Sequence, residues 1–398
     1  MLKTQTIREA VKKLEQQMIA ERRMLHENPE PSGAEVQTAA YIAGEMKKLG
    51  MEPIWLKEKV GAVYELDTGR PGKTLALRAD IDALSMPEDE NNLVGKKVCV
   101  SRVSGVCHAC GHDGHTAMLL AAARILAAGK QDLSGRILFV FESSEEMPET
   151  ATSSLIKQYL IDRKIDGIWG IHLYAMMDAG TVSVQAGPRM SGAGSFEIRI
   201  VGRGGHGSRP DQSVNPVVTA AEITSKFQSI VPLQIAPDEA GVVTVSCIQG
   251  GDVWNIIPDT CTIRGGIRYF SVENFEKIVG KIRAITDALC AANDCTAEYV
   301  SMPKVMYPVS NDAGLSKLAA AAVEKVLPGA VKEEPAWMAS ESFGVYQTVA
   351  PGVLAFVGIR NRELGSGAPH HNVRFDMDES ALAIGAAATV QFASDFLG

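Results

Sequence analysis

Thr74-Leu75-Ala76-Leu77-Arg78 reads as a buried strand, and it ends in the acidic residues of Ala79-Asp80-Ile81-Asp82. A short apolar run bounded by polar punctuation is what a strand covered on both faces requires. Working outward, two helical patterns precede it. Ile7, Val11, Leu14 and Met18 fall near helical spacing, and a second periodic stretch runs from Glu35 to Leu49 before Gly50. Downstream, a helix is expected after His112, apolar strands over Arg136–Phe141 and Gly167–Leu173, and a last helix over about Glu379–Phe396. Strands alternating with helices predict a mainly parallel α/β sheet. In such sheets sites gather beyond the carboxyl ends of the strands.

The middle of the chain changes character. Ser195–Val201 alternates, with Phe196, Ile198 and Ile200 on one face; Asn215–Val231 reads as a helix; Gly241–Ile248 and Thr260–Phe270 read as strands. Ser271 is placed to cap a helix whose Phe275, Ile278, Val279, Ile282, Ile285 and Leu289 share a face, and Thr296–Val300 closes with a strand. The order β-α-β-β-α-β is that of a small ferredoxin-like α+β domain. The expectation is a large α/β domain over residues 1–186 and 299–398, interrupted by an inserted domain over 187–298.

The 398 residues are 46% hydrophobic and 22% charged, an ordinary globular composition, with length for two or three domains. A net charge of −8 argues against a nucleic-acid partner, which needs concentrated Lys and Arg. The opening residues lack an apolar signal core, and the most apolar stretch, Ala117–Ala128, is too short to span a bilayer and carries Arg124. A soluble, cytoplasmic protein without a membrane partner is the expectation. Seven cysteines, an odd number scattered along a large chain, do not form a disulfide framework.

The chemistry concentrates in a few places. Cys107-His108-Ala109-Cys110-Gly111-His112-Asp113-Gly114-His115 holds five potential metal ligands within nine residues. A zinc ribbon needs a second CxxC, which is missing, and haem attachment needs His where Gly111 stands. What remains is a compact ligand loop in front of a helix. Glu145-Glu146 follows an apolar strand. One such carboxylate can ligate a metal while its neighbour accepts a proton from activated water. Taken alone, adjacent glutamates are common on solvated loops. His172 lies in the apolar run Trp169-Gly170-Ile171-His172-Leu173, where a lone His is more often a hydrogen-bonded core residue. His370-His371 sits in a Gly/Pro-rich loop. Asp80 and Asp82 are placed to orient ligand imidazoles. In the inserted domain, His206 lies in a glycine-rich loop, Asn255 begins Asn255-Ile256-Ile257-Pro258, and Arg268, at a strand end, suits bidentate grip of a carboxylate.

Together these motifs resemble the aminoacylase, hippurate hydrolase and auxin-conjugate amidohydrolase family of dinuclear metallohydrolases. The similarity runs nearly the full length: Arg23–Glu30, Leu77–Leu84, His108–Met118, Gly204-Gly205-His206, Asn255–Thr260 and Phe375–Glu379 all carry it. The resemblance implies a zinc-peptidase-like large domain and an inserted domain that dimerises. It implies two divalent ions per subunit, Mn²⁺ or Zn²⁺ first and Co²⁺ or Ni²⁺ also compatible, bridged by Cys110 and completed by His112, Glu146, His172 and His371. Glu145 matches the general base, with Asp80 beside it as a second candidate catalytic residue. His206 and Asn255 match residues that reach substrate in a partner's site, and Arg268 is the third substrate-binding candidate. The implied activity is hydrolysis of the amide bond of N-acyl amino acids by a homodimer; a dipeptidase or carboxypeptidase, or a metal-binding protein without turnover, are the alternatives. The chain departs from the family text at Glu142–Thr150, at Val373 where proline is usual, and at Ser342 in Ser340-Glu341-Ser342-Phe343.

Overall fold

The computed structural model describes residues 1–57, 59–147 and 152–398. The chain divides into two compact units. One comprises Met1–Gly187, Ser310–Pro335 and Val345–Gly398; the other comprises Pro188–Val309 and Ala336–Gly344.

The larger unit is built on a seven-stranded sheet. Its strands run in the order Ile54–Lys57, Gly61–Asp67, Arg136–Glu142, Thr74–Asp80, Gly167–Asp178, Gly352–Arg360, Val182–Ser183. The four strands that follow the two at the first edge pair with one another in parallel, and the remaining pairings at either edge are antiparallel. Residues in these parallel strands are buried on both faces, which is why they read as continuous apolar runs. The register sets Asp80 opposite Glu142 and His172 opposite Phe356, so the polar ends of neighbouring strands emerge side by side.

Helices Thr4–Glu27, His112–Ala128, Ala313–Val326 and Ala381–Leu397 contribute to the core of this unit. The last is apolar all round and buried along most of its length, as a helix enclosed by others must be. Trp169 stacks on Phe392 at 4.4 Å, and its indole Nε1 donates to Thr389 Oγ1 at 3.0 Å, so the one polar atom of the largest buried ring is satisfied. Gly385 allows the close approach: a Cβ there would meet Met118 Sδ at 2.1 Å.

The smaller unit is a four-stranded antiparallel sheet in the order Gly241–Gln249, Thr260–Tyr269, Gly192–Val201, Thr296–Ser301. That order, with helices Pro216–Phe227 and Val272–Ala292, is the ferredoxin-like arrangement. Phe196, Ile198, Ile200, Ile223, Phe227, Ile278 and Ile282 form its core. Ser271 caps the second helix by accepting from Asn274 N at 3.1 Å. The helix expected over Asn215–Val231 stops at Phe227, and a separate short one spans Ile230–Gln234. Pro232 has no amide to donate to Gln228, so the first helix cannot run through it. The unit also extends further than residues 187–298. Thr296–Ser301 is an edge strand of its sheet, and Tyr269 Oη donates to Met306 O at 2.8 Å. Residues 336–344 return to it through bonds such as Trp337 N to Arg189 O at 2.8 Å.

Candidate metal centre

Within the larger unit, four segments bring donor atoms to one place. The loop into helix His112–Ala128 supplies Cys110 and His112. Gly111, just before the helix, has φ of 94°, a left-handed conformation that costs a side-chain-bearing residue about 1–2 kcal/mol. The segment after strand Arg136–Glu142 supplies Glu145 and Glu146, directly behind Ser144 at φ 58°. His172 projects from within its strand, and His371, also at positive φ (59°), is set by its amide bond to Ala109 O at 2.9 Å.

The donor atoms of Cys110, His112 and His172 lie within 4.8 Å of one another. The same holds for Cys110, Glu146 and His371, and for His112, Glu145 and Glu146. Individual separations agree: Cys110 Sγ to His172 Nε2 is 3.6 Å, His371 Nε2 to Glu146 Oε1 is 3.1 Å, and His112 Nε2 to Glu146 Oε1 is 3.9 Å. Of the two adjacent histidines near the C-terminus, His370 turns Nε2 to accept from Ala175 N at 3.1 Å, leaving His371 to meet Glu146.

Second partners orient these rings. His112 Nδ1 donates toward Asp82, whose backbone O lies at 2.9 Å and Oδ1 at 3.2 Å, so Nε2 is the nitrogen presented to the donor cluster. His172 Nδ1 likewise donates to Leu173 O at 2.6 Å. Asp80 accepts from Arg78 Nη1 at 2.8 Å and meets His115 Nδ1 at 2.6 Å and His112 Nε2 at 3.6 Å. His115 completes its own bonding by accepting from Leu173 N at 2.9 Å. Asp80, His112 and His115 also converge within 4.8 Å, but with both His115 nitrogens engaged this triad suits orientation better than ligation. Asp82, which the sequence places to orient a ligand imidazole, is found against His112. His115 counts among the potential ligands of its loop but receives no role from the sequence; the signal for one is its place one helical turn after His112.

Electrostatics follow from burial. Burial pushes the Cys110 thiol well above its ordinary range, with Glu146 adding to the effect. Burial also pushes the His172 imidazole well below its ordinary range, helped by His115 and His370. For His112 burial opposes the charge, yet Asp80, Cys110 and Asp82 outweigh it and raise the pKa well above the usual value. Burial likewise opposes ionisation of Asp80, but His112 and Arg78 hold it well below the usual carboxylate range. The raised His112 and the lowered Asp80 both show that this cluster of carboxylates and thiol favours a positive charge among its members. A set of sulfur, nitrogen and oxygen donors with that preference fits divalent ions of the Zn²⁺ and Mn²⁺ class.

In the smaller unit, His206 and Asn255 come together. Ile256 pairs with His206 in a two-stranded ribbon, and Gly207 N donates to Asn255 O at 2.8 Å. His206 Nδ1 accepts from Ser208 N at 3.1 Å, and its side chain is exposed. Arg268 lies apart from them. The ribbon leads into the Thr260 end of strand Thr260–Tyr269 and Arg268 is near the other end, ~27 Å along at the usual rise per residue.

No helix among the described residues is long and apolar enough to cross a membrane. Residues 76–395 match the family model described as peptidase family M20/M25/M40. Over 385 residues the chain is 32% identical to IAA-amino acid hydrolase ILR1-like 4 of Arabidopsis thaliana, covering 96% of this chain and 86% of that one. It is 34% identical to thermostable carboxypeptidase 2 of Saccharolobus solfataricus, covering 97% of each, and 32% identical to N-acetylcysteine deacetylase of Bacillus subtilis, covering 92% and 93%. Among solved structures, the Bacillus subtilis YXEP protein, a dinuclear metal-binding peptidase of family M20, superposes with a TM-score of 0.82 at 28% identity, covering 97% of this chain and 99% of that one. A chain from methicillin-resistant Staphylococcus aureus superposes with a TM-score of 0.92 at 31% identity over the whole of both. A parallel-sheet unit with clustered Cys, His and Glu donors, a ferredoxin-like unit, and these full-length similarities lead to one conclusion: the chain belongs to peptidase family M20/M25/M40 and is a metal-binding hydrolase of amide bonds.

Proposed function

We propose that the protein hydrolyses the amide bond of N-acyl amino acids, holding two divalent ions with Cys110, His112, Glu146, His172 and His371. The observation that carries this is the shared position of Cys110 in two donor groups, one with His112 and His172 and one with Glu146 and His371. A thiolate common to two triads is suited to bridge two ions. When bound, such ions supply Lewis acidity that brings water's pKa to about 7. Glu145, among the donors yet not needed as a ligand, takes the proton from the attacking water and passes it to the leaving amine. Asp82 fixes the tautomer of His112, and Asp80 orients His112 and His115; both are positioning residues that exchange no proton with substrate. The acyl-amino-acid reading is supported by the plant and Bacillus relatives named for such conjugates. The archaeal carboxypeptidase relative favours a second reading in which a peptide is the substrate.

A homodimer completes the proposal. His206, in the ribbon beyond the Thr260 end of strand Thr260–Tyr269, and Arg268, near that strand's other end, are too far apart to serve one substrate from one copy of their unit. Strand Gly241–Gln249, at the edge of that sheet, is nine residues long without charge or proline, a pairing edge rather than a protected one.

The test is release of amine from a panel of N-acyl amino acids and dipeptides by chelated protein, with and without added Mn²⁺, Zn²⁺, Co²⁺ or Ni²⁺. Metal-restored release from acyl amino acids supports the proposal. Release from dipeptides alone moves the assignment to peptidase, and no release with metal bound overturns it.

A further inference from the structure

The turn at residues 30–35, remote in sequence from every donor, touches the metal centre's support at three points. Its backbone bonds Ala83 N through Glu30 O at 2.9 Å. Ser32 Oγ donates to Asp82 Oδ2 at 2.7 Å, and the same oxygen accepts from Glu146 N at 3.0 Å. Glu35, fully buried, accepts from Ser144 N through Oε1 at 2.7 Å, with Ser144 Oγ at 3.5 Å. Its other oxygen, Oε2, is buried without a hydrogen-bond partner among the described residues. The turn is itself rigid: Glu30 caps the next helix by accepting from Gln37 N at 3.0 Å and Thr38 N at 2.8 Å.

Ser144 is the residue whose backbone decides where Glu145 and Glu146 go. It is not glycine, yet its φ is 58°, and its amide is spent entirely on Glu35. A buried amide must be satisfied, and a non-glycine residue keeps a left-handed conformation only where its surroundings impose it. We propose that Glu35 is a positioning residue for the Glu145–Glu146 pair: by accepting from the Ser144 amide it holds the left-handed turn that presents both carboxylates to Cys110, His112 and His371. This rests on the reading of Glu145 and Glu146 given above and adds a residue that touches neither ion nor substrate. Burial raises the Glu35 carboxyl to about 7, so near neutrality much of it is a neutral acid, for which glutamine is a close substitute.

The experiment compares Glu35→Ala, Glu35→Gln and the double variant Glu35→Ala/Ser144→Gly with the parent protein. Three quantities are read: affinity for Mn²⁺ by chelator competition, kcat and KM on the best panel substrate, and amide hydrogen exchange at Ser144, Glu145 and Glu146. Glu35→Ala is expected to weaken Mn²⁺ binding by roughly 10- to 100-fold, as loss of a ligand-orienting partner does. It also lowers kcat about 10-fold or more with KM nearly unchanged, the mark of misplaced catalytic groups rather than lost substrate contact. Exchange accelerates at those three amides and not in helix Val36–Lys48. Glu35→Gln keeps all three quantities near the parent's, and Ser144→Gly, which adopts positive φ freely, recovers part of the loss. The proposal is overturned if Glu35→Ala matches the parent, if exchange accelerates equally through helix Val36–Lys48, or if Glu35→Gln fails as badly as Glu35→Ala. If the parent itself binds no Mn²⁺, the metal reading falls, and the exchange data alone still decide for or against Glu35.

Discussion

Glu145 and Glu146 are neighbours in sequence to which the proposed function gives different tasks, base and ligand, on grounds of geometry. Glu146 Oε1 faces His371 and His112, whereas Glu145 converges with His112 and Glu146. Glu145→Gln is therefore expected to keep metal at the parent's stoichiometry while kcat drops by about 10²–10⁴-fold. Metal analysis and turnover on the same preparation check it, and full activity in the variant refutes the general-base role. Glu35 makes a prediction about stability. Its proton is held to about pH 7 in the fold, against an ordinary carboxyl value of 4.5. The unfolded chain thus loses that proton first, and the carboxyl's contribution to stability declines as pH rises from 4.5 to 7, then stays level. The full swing is on the order of 3 kcal/mol. Glu35→Gln removes this dependence, so denaturant unfolding should show the variant gaining on the parent between pH 5 and 8; a constant difference across that range would sink the argument.

At the scale of elements, the site is a set of strand ends and one helix start. Parallel pairing brings the ends of Thr74–Asp80 and Arg136–Glu142 together, and helix His112–Ala128 begins beside them. The joint between loop and helix is Gly111. Beyond its positive φ, a Cβ there would sit 3.3 Å from Leu173 Cδ1, next to His172. Gly111→Ala should cost about 1–2 kcal/mol in unfolding free energy from the backbone alone. It should also weaken metal binding, because Cys110 and His112 flank the strained residue. Calorimetry and metal titration measure the two effects; an alanine variant as stable as the parent would show that the loop can choose another path.

For the whole molecule, a buried charge network ties the first helix to the helix of the metal site. Arg22 Nε and His26 Nδ1 both meet Asp113 Oδ2 at 2.8 Å, and His26 Nε2 and Lys97 Nζ both meet Glu88 Oε1, at 2.9 and 2.8 Å. Burial alone would raise the Glu88 carboxyl, but His26, Lys97 and the Ser101 amide outweigh it and hold it at about 2. Its contribution is complete above the unfolded value near 4.5 and is lost as pH falls toward 2. Glu88→Gln is expected to lower stability at pH 7 and to flatten the acid limb between those values, read by unfolding at pH 3, 5 and 7. The proposed homodimer has its own test. Mixing Glu145→Gln with His206→Ala chains under subunit exchange should recover about a quarter of parental activity, because only mixed dimers hold one complete site. Two inactive variants that stay inactive after exchange would place His206 in its own chain's site or outside catalysis.

The sequence alone determined the hydrophobic framework. Thr74–Asp80, Arg136–Glu142 and the β-α-β-β-α-β run of the smaller unit were legible because periodicity and apolar runs are local properties. The Cys110–His112 cluster was legible because two donors one residue apart need no distant partner. Strand Gly352–Arg360, placed beside Gly167–Asp178, carries as strong an apolar run but no chemistry to draw the eye. Only the tertiary structure decided which atoms face one another. Residue type and periodicity do not separate His172 in its strand and His371 in its loop from core or surface histidines; family resemblance singled them out, and packing sets Cys110 and Glu146 beside them, 62 and 225 residues away. His115 on Asp80 and Glu35 on Ser144 carried no such signal. A hydrogen bond's partner across a fold is set by strand register and loop closure, which no window of sequence contains. The donors are written in the chain, and their orientation is written in the packing.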